Sequence, residues 1–452
     1  MTDNHDRDDL DTWLHSRIEP LSPPPGTFEA IKRRARRRKV RKLTVSAGVA
    51  AAVIAAVVTV PQVVKMPVEP ARPEAGAKPA TSAPSTTSGP GKVFASSKAP
   101  IALPTGNPVP ANFQPASITA VSDQTMFVIG QAGKPGQCAT QYCTSVARTQ
   151  DAGATWTGLP APLAGAPDGA AGVGQIRFLD GINGWAFGPE LWASHDGGES
   201  WKQVSTHGRR VIDVETVGKR AFAIEADCTG TGQDYAAQCT DFTLYSTPAT
   251  GDDWKPVGAS TTNLNKQGAF GSAALVLTGT RGYLLAPDGT LLAGPVTGTG
   301  EWKEAGQIPC AVGLAQQDGA PAGAQLGALS AQTLILACQT KAIYQSADGG
   351  ATWQQTKAGP ATSATATSIS ASPTASVILG TTAGIEVLPT GSDTWQAATL
   401  TGTVPEGGFG FVGMTTPTRG IALPADAGAG SVWFTTDGGL TWSPSQVQGP
   451  AQ

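Results

Sequence analysis

An eight-residue box recurs along this chain, and its spacing limits the fold more than any other feature of the sequence. The copies read TQDAGATW at 149–156, SHDGGESW at 194–201, SADGGATW at 346–353 and TTDGGLTW at 435–442. Each has a hydroxyl residue, an Asp, a small residue, a Gly, a second hydroxyl and a Trp. The physics is that of a tight turn between two strands: the carboxylate accepts hydrogen bonds from turn amides, and the Gly takes positive φ. The Trp then opens the next strand and buries a large ring. The defining residues are Asp151, Gly153 and Trp156; Asp196, Gly198 and Trp201; Asp348, Gly350 and Trp353; and Asp437, Gly439 and Trp442.

Weaker copies end at Trp254, Trp302 and Trp395, so that seven tryptophans fall at intervals of 45, 53, 48, 51, 42 and 47 residues. A repeat of this length cannot bury its faces singly. It has to stack radially, as the blades of a propeller do. The expected fold is all-β, a seven-bladed β-propeller of four-stranded blades over 113–452. With 56 Gly, 35 Pro and 14% charged residues, the composition suits many short strands and turns. Each blade follows one plan: a first strand ending in a turn, a second, a third running into the box, and a fourth starting at the box Trp. Residues 443–450 can supply the last outer strand, and KVFASS at 92–97 is the competing source.

The boxes resemble the BNR or Asp-box repeats of sialidases, some other glycoside hydrolases, the sortilin family and the photosystem II assembly-factor family. The wider blade pattern, QIRFLDGINGWAFG followed by ELWASHDGGESW, most resembles the last of these and its bacterial relatives. The resemblance spans roughly residues 115–452 and implies a sialidase-like propeller scaffold. It implies no particular chemistry, because those relatives share a fold and not an activity.

The region before the propeller divides into three. Residues 1–42 are a basic segment expected in the cytoplasm, in which 32–42 hold nine basic residues in eleven. Residues 43–64 carry no charge and are long enough to span about 30 Å of hydrocarbon as a helix. With the basic cluster before it, this stretch is expected to be a single-pass transmembrane signal anchor, N-terminus inside. A cleaved signal peptide is the competing reading, opposed by the long leader and the lack of a clean A-x-A site. Residues 65–112, rich in Pro, Ala, Ser and Thr, form an extended linker with a greatest reach of roughly 150 Å. The first segment either docks a cytoplasmic partner or only sets topology and attracts anionic headgroups. Net charge is −3 overall, and the part beyond residue 42 is mildly acidic. That argues against a nucleic-acid surface.

The six cysteines, Cys138, Cys143, Cys228, Cys239, Cys310 and Cys338, all follow the expected span. An even number on the outer side suggests disulfides, and sequence proximity favours 138–143, 228–239 and 310–338. Metal binding finds no support, since no CxxC occurs and only His195 and His207 lie in the outer part. Two cysteine loops fall between the second and third strands of blades one and three. They would emerge on the face opposite the boxes, which makes that face the expected binding side.

The box aspartates sit in separate turns and are structural. A sialidase needs converging arginines, a Tyr–Glu nucleophile pair and an acid/base Asp, and nothing selects such a set. The five tyrosines are 142, 235, 245, 283 and 344, and Tyr245 and Tyr344 occupy equivalent third-strand positions. Of the carboxylates Asp180, Asp213, Glu215, Glu225, Asp227 and Glu386, the least ordinary are Glu215, Glu225 and Asp227, beside a cysteine loop. No phosphate loop, nucleophile elbow or cofactor fingerprint occurs. The expectation is a membrane-anchored extracytoplasmic propeller with no cofactor, binding an extracellular protein or glycan, or serving assembly or envelope sensing, without catalysis. The alternative is a surface-anchored, exo-sialidase-like glycoside hydrolase, which requires carboxylates converging in the central funnel.

Overall fold

The computed structural model describes residues 106–448 except 133–143, 165–171, 207, 230–237, 259–262, 265–267, 270–272, 298–299, 311–323, 339–341, 357–358, 360–363 and 372–375. The expected segments 1–42 and 43–64, nearly all of the linker, and Cys138 and Cys143 lie outside them. Among the described residues no helix is long and apolar enough to cross a membrane.

The described strands form seven sheets, each built on four antiparallel strands in chain order. The first strands, Gln114–Ala120, Gln175–Phe178, Arg210–Val217, Ala274–Leu277, Gln325–Ala328, Ala366–Ser370 and Phe409–Met414, touch one another along most of the ring. They therefore surround the axis. The fourth strands, Thr157–Leu159, Lys202–Val204, Lys255–Pro256, Lys303–Gln307, Gln354–Gln355, Gln396–Ala397 and Thr441–Gln446, form the rim. Six begin immediately after one of the seven tryptophans, and Thr441–Gln446 begins one residue before Trp442.

Why the repeat needs its neighbours is visible in the core. Seven hydrophobic clusters form among the described residues, one at each junction between adjacent blades. Trp302, fully buried, packs with Phe222 and Ile224 of blade three, while Trp442, also fully buried, packs with Ile378 and Val387 of blade six. Each box Trp thus seals its blade against the preceding one.

The box turns repeat in atomic detail. In blade one the Thr149 hydroxyl donates to Asp151 Oδ1 at 2.8 Å, and the Thr155 amide and hydroxyl donate to the two Asp151 oxygens at 2.8 and 2.6 Å. The Gly153 amide donates to Thr149 Oγ1 at 2.9 Å. Ser194, Asp196, Gly198 and Ser200 repeat these bonds, as do Ser346, Asp348, Gly350 and Thr352. In the fourth box, Thr435, Asp437, Gly439 and Thr441 do the same. Burial works to raise Asp151, Asp196 and Asp437, but these hydrogen bonds outweigh it and hold the carboxyls below their usual range. Asp348, chiefly through the Thr352 hydroxyl, is held at about 2.

The box Gly answers a second demand. Gly439 has φ of 93°, and a Cβ there would lie 2.3 Å from Ile378 Cδ1 of the preceding blade. Gly350 stands in the same relation to Leu291 of blade four, and Gly153 to Phe434 of blade seven. The position is glycine both for its left-handed backbone and because the preceding blade approaches it.

Blade seven takes its four antiparallel strands from Phe409–Gln446, and among the described residues no N-terminal strand joins them; KVFASS at 92–97 lies outside the described residues. A short strand, Thr399–Leu400, adds in parallel to its rim. The N-terminal side contributes differently. Asn107 bridges Gly158 on the rim of blade one, with amide-to-carbonyl distances of 2.7 and 2.5 Å in the two directions. Val109 and Phe113, both buried, join the cluster between blades seven and one. Residues 106–112, expected at the end of the linker, are therefore packed against the propeller.

Candidate functional site at the mouth of the central channel

The strand nearest the axis of each blade has one unpaired edge, whose amides need partners. In blades two and seven, hydroxyl side chains of the preceding blade supply them. Ser117 and Thr119 of blade one accept from the Ile176 and Phe178 amides of blade two at 3.3 and 3.4 Å. Ser368 and Ser370 of blade six accept from Val412 and Met414 of blade seven at 3.2 and 2.9 Å.

Blade three breaks this pattern by placing acids in the same role. Asp213 accepts from the Leu275 amide of blade four at 2.9 Å. Glu215, two residues on, instead takes the Nε–H of Arg177 in blade two, at 2.9 Å. The guanidinium also donates to the Ile176 carbonyl at 2.9 Å and lies 5.9 Å from the Phe187 ring centre. Burial works to lower Arg177, and the Glu215 and Asp213 carboxylates more than reverse it. Asp213 is pushed up to about 7, first by burial and then by the neighbouring Glu215, against the pull of Arg177. The Arg177 and Glu215 side chains remain 17% and 28% exposed, so solvent reaches the pair.

The pair lines a cavity of about 500 Å³, within the range of small-molecule sites. Its walls come from the ends of the first strands of blades seven, one, two and three: Phe411 and Met414, Ile118 and Val121, Phe178 and Leu179, Thr216 and Val217. Val121, Ser122, Gly218 and Thr415 belong to the turns that follow those strands. The same turns receive the box turns: the Ala152 amide donates to the Gln124 carbonyl at 3.0 Å, and the Gly438 amide to Thr418 at 2.8 Å. The cavity therefore opens on the box face. The opposite face, expected to bind because of its cysteine loops, carries the disulfides. Cys228–Cys239 staples the second and third strands of blade three, and Cys310–Cys338 joins the blade four–five connection to blade five, with S–S distances of 2.02 and 2.08 Å.

Glu215, Glu225 and Asp227, grouped by sequence, do not converge. Glu215 sits opposite Phe222 in the strand register, and Asp227 lies five residues further along, roughly 17 Å at about 3.3 Å per residue. Asp227 pairs with Arg209 at 3.4 Å on the cysteine side. Glu225 is fully buried, and neither carboxylate oxygen has a hydrogen-bond partner among the described residues. Burial pushes it up to about 7 despite the nearby Arg209. Glu386, also buried, is raised by burial alone. Tyr245 and Tyr344 pack in blade-junction clusters. His195 faces Asn183 Oδ1 at 2.9 Å and Asp252 Oδ1 at 3.2 Å, bridging blades two and three. No group of metal-ligating side chains forms among the described residues.

Arg177 was one arginine among several in the sequence, and Asp213 one acid among many. Their signal was positional: in the repeat, RVIDVETV at 210–217 puts acids where QPASITA at 114–120 puts hydroxyls.

The fold defines the class, a seven-bladed β-propeller with a cavity at one mouth of its channel. No family model matches the chain, and no curated protein does. Among solved structures it is similar to YCF48 bound to D1 peptide, at 15% identity and a TM-score of 0.48 over 73% of this chain and 95% of that one. It is similar to YCF48 from Cyanidioschyzon merolae, at 16% identity and 0.44 over 64% and 88%. It is also similar to the Niastella koreensis GH74 enzyme, at 16% and 0.34 over 73% and 53%. Likenesses this distant concern the scaffold alone.

Proposed function

We propose that this protein is a binding propeller held outside the membrane by a single N-terminal span at 43–64, with residues 1–42 in the cytoplasm. Its turns are of the Asp-box type, and its ligand enters the channel-mouth cavity. The linker carries the propeller away from the bilayer, where it serves assembly or envelope sensing. The observation that carries the binding reading is the use made of the carboxylates around the cavity. Glu215 is taken up by Arg177, Asp213 by the Leu275 amide, Glu225 is enclosed within blade three, and Asp227 faces the other end. A glycosidase needs two carboxyl groups flanking a bond inside the cavity, and Glu215 is the one carboxylate among its described lining residues.

Two assays test the proposal on the full chain. Fluorogenic glycosides, a sialoside included, are expected to give no turnover; turnover removed by Glu215→Gln would replace binding with catalysis. Alkaline phosphatase fused to the C-terminus is expected to be active, and inactivity would sink the external placement.

A further inference from the structure

The Arg177–Glu215 pair is neutral as a whole, yet it uses only part of its bonding capacity. Arg177 spends Nε on Glu215 Oε1 and Nη1 on the Ile176 carbonyl, at 2.9 Å each. Its third nitrogen, Nη2, makes no hydrogen bond among the described residues, and neither does the second Glu215 oxygen, Oε2. Neither atom is sealed off in the way that the Glu225 oxygens are. Nη2 lies on the same edge of the guanidinium as Nε, and a fork-to-fork pair would have engaged both nitrogens with both oxygens. The single bond actually made leaves a donor and an acceptor side by side at the cavity that the pair lines. Asp213 lies outside the described lining and bonds the Leu275 amide, so Arg177 and Glu215 are the only charges among the described lining residues and they cancel.

We propose that the channel-mouth cavity binds a small neutral primary carboxamide, whose carbonyl accepts from Arg177 Nη2 and whose N–H donates to Glu215 Oε2. Its alkyl body lies against the half-buried Leu179, Val217, Phe411 and Met414. The inference rests on the reading of this cavity as the binding site. A primary carboxamide carries an acceptor and a donor on one edge, as the pair does, whereas a trans secondary amide carries them on opposite edges. A carboxylate ligand would set like charge against Glu215, and an ammonium would do so against Arg177. The volume, about 500 Å³, admits such an amide, and the lining matches its polar head and apolar body.

The test is isothermal titration of the intact protein in detergent with hexanamide, 2-heptanone, hexanoate and hexylammonium, probes of similar size, at pH 6. Asp213, pushed up to about 7, is then mostly protonated and adds no charge nearby. Hexanamide is expected to bind at least about tenfold more tightly than 2-heptanone, which keeps the carbonyl but leaves Glu215 Oε2 without a donor. The two ions are expected to bind more weakly than the amide by a similar factor, because each brings a net charge to a neutral pair. Glu215→Gln removes the negative charge and is expected to switch the preference to hexanoate. Arg177→Met removes the positive charge and is expected to switch it to hexylammonium. Circular dichroism checks that each variant keeps the fold, and either switch suffices if the other variant does not fold. A ketone or an ion bound as tightly as hexanamide would overturn the carboxamide and leave the cavity as a binding site. An unchanged preference in a folded variant would do the same. Binding of none of the four would overturn both readings.

Discussion

Ala152 has φ of 60° at the box position where the other three copies place Gly197, Gly349 and Gly438, at 79°, 74° and 79°. A side chain in the left-handed region costs on the order of 1 kcal/mol that glycine avoids. Ala152→Gly is expected to stabilise the propeller by about 1 kcal/mol, offset in part by the freer unfolded chain, read as a higher urea midpoint. Glu225 carries strain of another kind. Its folded carboxyl keeps a proton up to about 7, whereas the unfolded one releases it near 4.5. Between those values the unfolded chain binds fewer protons, so stability falls as pH rises, and the loss is complete above about 7. A difference of this size amounts to roughly 3 kcal/mol. Glu225→Gln does not titrate; it is expected to unfold at a higher urea midpoint than wild type at pH 8, with the advantage vanishing at pH 5. Asp213 pulls in the same direction, so the variant keeps part of the slope.

At the scale of strands and loops, the two described disulfides act at different ranges. Cys228–Cys239 closes 11 residues between directly paired strands of one blade, while Cys310–Cys338 closes 28 and links two blades. Chain entropy alone gives roughly 3 kcal/mol for the shorter loop and somewhat more for the longer. Replacing Cys310 and Cys338 by Ser is therefore expected to lower the melting temperature more than replacing Cys228 and Cys239. The reverse order would mean that the hairpin of blade three depends on its staple. The box turns need no such tie, because their bonds span two to four residues and form wherever the eight residues occur.

Across the whole molecule, the ring holds by packing at seven junctions, and the junction of blades seven and one takes extra material from residues 106–113. Phe113, 4% exposed in that cluster, is the anchor. Phe113→Ala is expected to destabilise the ring by about 3 to 4 kcal/mol while the protein still melts in one transition. Two separated transitions would show that the seam opens independently of the other blades. The sequence by itself determined the number of blades, the box turns and the tryptophan that begins each rim strand, because these rest on local bonds and a period. The two described cysteine pairs followed from proximity along the chain. Only the tertiary structure decided which face holds the cavity and which charges meet there. Arg177 and Glu215 are 38 residues apart, and Asp213 and Leu275 are 62 apart. Such contacts depend on how neighbouring blades are set around the axis, and a repeat pattern carries no record of which side chains cross between them.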